Sequence, residues 1–359
     1  MRGAATVVHS EHMERMNTPT IVCTSGLPDD DVLRPAASAL REGGLVVFPT
    51  ETVYGLGANA LDPQAVHRIF VTKGRPPANP LILHVPSTAA ARALAAHWPE
   101  NAQAVADHMW PGPITLVVHR ARSVPDIVTA GGPTVALRCP AHPIALRLIE
   151  LAGVPVAAPS ANLSGSVSPT RVEHLDPQIR SACAFVVDAG PCEYGLESTV
   201  LDITVEPPMV LRPGAVTRDE IAEIVGTLGT IETEPPPNEL RSPGTHGKHY
   251  APRARVILVE KPDPAVLVAS YARADASEDG PPPDRKAAFV THDAEAARMT
   301  EAAIATVVMP SEPRAYGRRL YAVLQELDSD RTDVIIVHLP PDTAYWEAVR
   351  DRLRRAALR

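Results

Sequence analysis

Short β-branched apolar runs alternate with alanine-rich stretches along residues 30 to 225. The runs at 45–48, 81–85, 114–118, 134–138, 155–158, 185–188 and 199–203 are strand-sized and bounded by Gly, Pro or polar residues, so they predict strands. Between them, 31–42, 63–72, 88–96, 101–109 and 142–151 predict helices, the first stopping at Gly43-Gly44. This alternation predicts an α/β domain whose sheet is covered on at least one face. Around 232–247 successive prolines deny both helix and central strand, which marks a linker. Beyond it, strands are predicted at 255–260, 287–291, 305–309 and 333–338, with helices at about 264–275, 293–303, 313–328 and 343–357. Repeated βα units predict a small parallel sheet. Gly280 followed by three prolines predicts an exposed loop over 277–284.

The division that results is a disordered extension over 1–25, a large α/β domain over 26–230, a proline-rich linker over 231–253 and a small α/β domain over 254–359. Two domains suit 359 residues, which exceed one ordinary core. A composition of 45% hydrophobic and 21% charged residues is that of a folded chain. The longest apolar runs fall far short of the roughly 20 residues a bilayer crossing needs, so no membrane span is predicted. A net charge of −8 argues against a protein whose main task is coating nucleic acid. Cys23, Cys139, Cys183 and Cys192 show no paired spacing, so reduced thiols, no metal site and a cytoplasmic setting are expected. The first ~20 residues lack the apolar core of a secretory signal.

Candidate chemistry sits after the predicted elements. Lys73-Gly74-Arg75-Pro76 reads as a turn exposing two cations, suited to phosphate or carboxylate, or else as a solvated basic turn. Ser160 and Asn162, after the strand at 155–158, can present a hydroxyl and an amide to one side, or form an ordinary Asx or Ser turn. Pro49 to Gly57 resembles a pocket wall, in which Glu51 is read as a cap or surface group without a catalytic role. His84, Thr115, Arg138, Ser198 and Arg212 are weaker candidates taken one by one. The second domain contains neither GxGxxG nor GxxxxGK[ST], so no nucleotide is assigned to it.

Taken together, FPTETVYGLG, KGRPPANPLILHV, WPGPITLVV, LRCPAHPIALRLIE, APSANLSG, GLESTVLD and LRPG, in this order over about residues 30 to 225, resemble the threonylcarbamoyl-AMP synthases in their two-domain form. The resemblance implies a YrdC-like twisted mixed sheet with helices, followed by a small Rossmann-like parallel α/β domain. It implies condensation of L-threonine, bicarbonate or CO2, and ATP carried with Mg2+. The product expected is threonylcarbamoyl-adenylate, passed to a downstream tRNA threonylcarbamoyl transferase, with a weak tRNA contact. It further implies a catalytic tetrad of Lys73, Arg75, Ser160 and Asn162, with Asn79, Thr115 and Arg212 also on ATP. Thr52, His84, Arg138 and Ser198 are implied for threonine. His249 and Tyr250 in the linker are expected to close as a lid, with packing of Tyr250 as the alternative. The rival readings are a double-stranded RNA or tRNA-binding module, which the charge opposes, and a carbamoyltransferase, whose relatives carry zinc-ligand spacings that are missing here.

Overall fold

The computed structural model describes residues 6–8, 18–24, 26–229, 250–263, 286–298, 305–330 and 332–358. The predicted helix at 264–275, the loop at 277–284, most of the linker and His249 lie outside the described residues. Two compact units make up the chain: Met1–Ser164 with Ser168–His246, and Gly247–Arg359 with the short segment Gly165–Val167.

In the first unit, β1 (Thr6–Val8) and β2 (Thr20–Val22) precede α1 (Asp30–Arg41), β3 (Val46–Phe48), β4 (Gly55–Asn59), α2 (Pro63–Lys73) and β5 (Ile82–His84). Then come α3 (Thr88–Arg92), α4 (Glu100–Met109), β6 (Ile114–His119), β7 (Thr134–Arg138), α5 (Pro143–Ala152) and β8 (Val156–Ala157). The unit ends with α6 (Pro177–Ala182), β9 (Phe185–Asp188), β10 (Thr199–Asp202), β11 (Met209–Arg212) and α7 (Arg218–Val225). The strands form one mixed sheet in the order β1-β2-β9-β3-β4-β8-β5-β7-β6-β10-β11.

Both faces of this sheet are covered, which explains why its strands read as continuous apolar runs. Successive side chains of a strand point to opposite faces. Val46 and Phe48 accordingly join one cluster with Leu33, Leu40, Leu148 and Ile149 of α1 and α5. Val47 joins the other, with Val66 and Ile69 of α2, Val105 of α4 and Ile221 of α7.

Two departures from the sequence reading are instructive. Residues 55–59, expected as loop, form β4 antiparallel to β3 despite two glycines. Glycine is depleted in strands, but a side chain at Gly57 would meet the Phe48 ring at 2.8 Å and Val156 at 2.9 Å, so the bare backbone is what lets that ring lie across the strand. The expected disordered extension is corrected at its strands: β2 pairs in parallel with β9, Ile21 is buried, and β1 pairs antiparallel to β2.

The second unit carries β12 (Arg255–Val259), β13 (Ala287–Thr291), β14 (Ala305–Val308) and β15 (Val334–His338), with helices Ala294–Arg298, Pro313–Ser329 and Glu347–Ala357. Its sheet, ordered β12-β15-β13-β14, is parallel throughout. Tyr250 belongs to this unit, stacked on Tyr321 at 5.8 Å with the Arg352 guanidinium 5.0 Å from its ring centre. Among the described residues no helix is long and apolar enough to cross a membrane.

Candidate active site

The first cluster is built at the end of α2. Asp62 caps the helix by accepting from the Gln64 amide, and Pro63 occupies its first turn, where a missing N–H costs nothing. Gly74 ends it in the left-handed region at φ 59, and the chain folds back so that the Ser164 amide donates to the Lys73 carbonyl at 2.8 Å. Lys73 Nζ donates to the backbone oxygen of Ser160 at 2.6 Å and to that of Asn162. Ser160 Oγ donates to Asn162 Oδ1 at 2.5 Å. Arg75 donates to the carbonyls of Asn79, 3.1 Å, and Pro80, 2.8 Å.

The expectation of an exposed basic turn is therefore corrected: Lys73 is 3% and Arg75 6% exposed, because the turn is covered by the 160–164 segment. Burial, and then the charge of Arg75, pull the Lys73 ammonium well below its ordinary range. The structure brings Lys73, Ser160 and Asn162 into direct contact, with Arg75 alongside. Asn79 contributes its carbonyl to Arg75, and its buried side-chain oxygen has no hydrogen-bond partner.

A second cluster joins three strands. Thr115 on β6 shares a 2.8 Å hydrogen bond with Ser198 Oγ, and Arg212 Nη2 donates to the Ser198 carbonyl at 2.9 Å and to its Oγ at 3.2 Å. The sequence divided these residues between ATP and threonine, whereas the structure gathers them in one place. Gly214, which the sequence reading left without a role, makes this possible. A Cβ there would stand 2.3 Å from the Thr199 nitrogen and 2.5 Å from the Glu197 oxygen, so only glycine lets LRPG lie against ESTV.

The third cluster contains Thr52, His84 and Arg138. Arg138 and His84 are paired partners at the ends of the parallel strands β7 and β5. Burial, and then the neighbouring Arg138 charge, lower the His84 pKa to about 3, so its imidazole is neutral at pH 7. The Phe48 ring meets it edge-on at 6.0 Å. Thr50 Oγ1 lies 2.9 Å from Thr52 Oγ1 and donates to the Val53 carbonyl at 2.6 Å, which shapes the turn.

Glu51 in that turn is a further correction: it is buried, with one carboxylate oxygen 2.7 Å from Arg138 Nη2. The turn is held inward by backbone bonds, since Tyr194 donates its amide to the Glu51 carbonyl and Ala161 donates its amide to the Tyr54 carbonyl, each at 2.8 Å. The Tyr54 hydroxyl donates to the Gly190 carbonyl at 2.7 Å. Gly55 bridges to Ser160, so the first and third clusters share a wall.

These buried cations, hydroxyls and amides suit an anionic ligand. Residues 38–214 match the family described as Telomere recombination, the Sua5, YciO and YrdC group, and residues 216–358 match the Threonylcarbamoyl-AMP synthase C-terminal domain. The threonylcarbamoyl-AMP synthase of Pyrococcus abyssi is 40% identical over 90% of this chain and 94% of its own. That of Bacillus subtilis is 38% identical over 92% and 94%.

The chain belongs to the threonylcarbamoyl-AMP synthase family.

The crystal structure of Pyrococcus abyssi Sua5 complexed with L-threonine superposes with a TM-score of 0.81 at 37% identity, covering 94% of this chain and 96% of that one. For a member of this synthase family the fold is as the sequence implied, a mixed α/β sheet followed by a parallel one. His249 lies outside the described residues, and Tyr250 is packed in the second unit against Tyr321. Glu51 and Gly214 went unassigned because an isolated carboxylate or glycine carries little signal; the only hint was their place inside PTETVYG and LRPG.

Proposed function

We propose that this chain condenses L-threonine, CO2 drawn from bicarbonate, and ATP into threonylcarbamoyl-adenylate with release of pyrophosphate. The product would supply a transferase that modifies a tRNA adenosine next to the anticodon. The observation that carries this reading is Lys73, a cation buried against the Ser160 and Asn162 carbonyls and pulled below its usual range. A desolvated ammonium in that state gains most from a polyphosphate, whose charge restores its protonation.

The amine nitrogen of threonine attacks the carbon of CO2; an N–C bond forms, one C=O pair moves onto oxygen, and an amine proton leaves to solvent. The resulting N-carboxylate attacks the α-phosphorus, and the bond from that phosphorus to its bridging oxygen breaks as pyrophosphate departs. No enzyme nucleophile is needed, so the side chains work by placement and charge. Lys73 and Arg75 offset charge on the phosphoryl oxygens. Ser160 and Asn162 aim the α-phosphate, while Asn79, Thr115 and Arg212 hold the nucleotide. Thr52, His84, Arg138 and Ser198 seat threonine, with His84 as a neutral hydrogen-bonding group. Magnesium arrives on the triphosphate as part of the substrate and adds positive charge there. The deciding experiment measures pyrophosphate release from MgATP with and without L-threonine and bicarbonate. Dependence on all three is expected, and release that ignores threonine would overturn the reading.

A further inference from the structure

Glu51 and Arg138 form a buried ion pair that leaves much of its bonding capacity unused. Both side chains are 5% exposed or less, and Arg138 Nη2 stands 2.7 Å from Glu51 Oε1. At that distance the N–H vectors still miss the oxygen: Nε and Nη2 of Arg138 and both oxygens of Glu51 lack an aligned hydrogen-bond partner in the protein. A buried pair compensates its desolvation only when its remaining protons and lone pairs are also satisfied. The unused groups are specific in kind. Nε and Nη2 form one edge of the guanidinium, the edge that binds a carboxylate with two parallel bonds. The carboxylate of Glu51 accepts only, so it calls for a donor, and a cationic one at that depth.

An α-amino acid in its zwitterionic form supplies both at the right separation, a carboxylate and an ammonium on adjacent atoms. Its net charge is zero, as is that of the pair, so docking alternates four charges without bringing net charge into a low-dielectric site. We propose that Glu51 binds the ammonium of the amino-acid substrate while the Nε–Nη2 edge of Arg138 takes its carboxylate, an assignment that rests on the threonine reading above. Thr50 and Thr52 flank Glu51, their hydroxyls 2.9 Å apart. Glu51 is then a specificity-determining residue: it selects amines, the group that must attack CO2, over hydroxy acids of the same shape.

The test is calorimetric titration of the full chain, without bicarbonate, using L-threonine and its hydroxy-acid analogue, in which a hydroxyl replaces the amine. Wild type is expected to prefer threonine by about tenfold or more, the scale of a hydrogen bond to a charged group. Glu51→Gln is expected to lower threonine affinity by about tenfold while leaving the analogue within about threefold, and to keep ATP binding as the sign of an intact fold. Equal loss for both ligands would mean that Glu51 only holds Arg138 in place, which overturns the proposal. So would unchanged threonine affinity. Should Glu51→Gln not fold, the wild-type comparison decides alone, because equal affinity for amine and hydroxyl excludes an ammonium contact. Wild type that binds ATP but no threonine would remove the substrate reading itself, whereas threonine binding indifferent to Glu51 removes this inference only.

Discussion

In the first unit, Lys73, Arg75, Glu51, Arg138 and Arg212 are charged groups withdrawn from water. In the second, the ends of β13 and β15 gather His292, His338, Tyr316 and Trp346, with His292 4.6 Å from His338 and Tyr316 5.4 Å from Trp346 between ring centres. Both clusters are polar and buried, but the groups differ in kind. The second is made of neutral rings packed on one another, and the buried Arg350 of that unit donates to the Pro340 carbonyl and to Asp342 at 3.2 Å, with its Nε left without a partner. There the unpartnered atoms are mostly neutral, among them Tyr316 Oη and His292 Nδ1. In the first unit Glu51 and Arg138 keep unpartnered atoms on charges, which is far more costly in the absence of a ligand. Burial of a neutral ring group serves packing; burial of an underbonded charge marks a place that a ligand completes.

The comparison is broken most severely at Lys73. Lys73→Met keeps an apolar stem of similar length and deletes the charge. Pyrophosphate release is expected to fall by about 100-fold or more, as when one donor to a developing charge is removed. Stability without ligand is expected to stay level or rise, because the desolvated ammonium opposes folding. A parallel loss of activity and of denaturant midpoint would mean that Lys73 is structural.

Gly214→Ala comes next. Its Cβ would meet backbone atoms of Ser198 and Thr199 within 2.4 Å, and backbone cannot move aside as a flexible side chain can. A loss of about 2–3 kcal/mol in urea unfolding is expected, together with weakened ATP binding through Arg212. Unchanged unfolding would show that the LRPG segment shifts without cost.

Much of this was legible in the sequence and some was not. The strands at 114–118, 134–138 and 185–188 were read to within a residue of their observed bounds, because buried β-branched runs bounded by breakers have few alternatives. β4 was missed because Gly-Leu-Gly-Ala-Asn argues against a strand locally, and the Phe48 ring that requires those glycines comes from a different strand. For the site, residue types were readable and their surroundings were not. Lys73 and Arg75 looked like surface cations because the segment that covers them is some ninety residues away in the chain. Glu51 reads as a surface carboxylate for the same reason, its partner Arg138 being a tertiary neighbour.

Acid sharpens the contrast from the side of neutral groups. His84 is held near a pKa of about 3, against 6.5 in an unfolded chain, so between those values the unfolded state binds the extra proton. Stability from this group is complete above the unfolded value and is lost as pH falls, by on the order of 2 kcal/mol between pH 7 and 5. His292 and His338, also lowered chiefly by burial, act in the same direction. Denaturant midpoints across that range should fall for wild type and fall less for His84→Asn. Equal slopes would show that His84 is not the neutral buried group described.

The smallest effect is expected at Tyr316, and its sign is what matters. The side chain is 0% exposed, its ring meets Trp346 and His292, and its hydroxyl has no hydrogen-bond partner. Burial raises the hydroxyl pKa above its ordinary value, so the group is a neutral phenol at every working pH. Removing an unsatisfied buried hydroxyl relieves a desolvation penalty, while the ring contacts remain. Tyr316→Phe is therefore expected to stabilise the second unit by about 1 kcal/mol, seen as a small rise in the unfolding midpoint, with pyrophosphate release unchanged. The companion experiment at the first cluster, Lys73→Met, removes a buried ammonium bonded to the Ser160 and Asn162 carbonyls, and there activity is expected to collapse. If Tyr316→Phe instead lowers the unfolding free energy by about 1 kcal/mol or more, on the order expected for a satisfied buried hydrogen bond, the hydroxyl has a partner such as an ordered water. If it lowers pyrophosphate release, the ring cluster belongs to the chemistry and the distinction between the two regions fails.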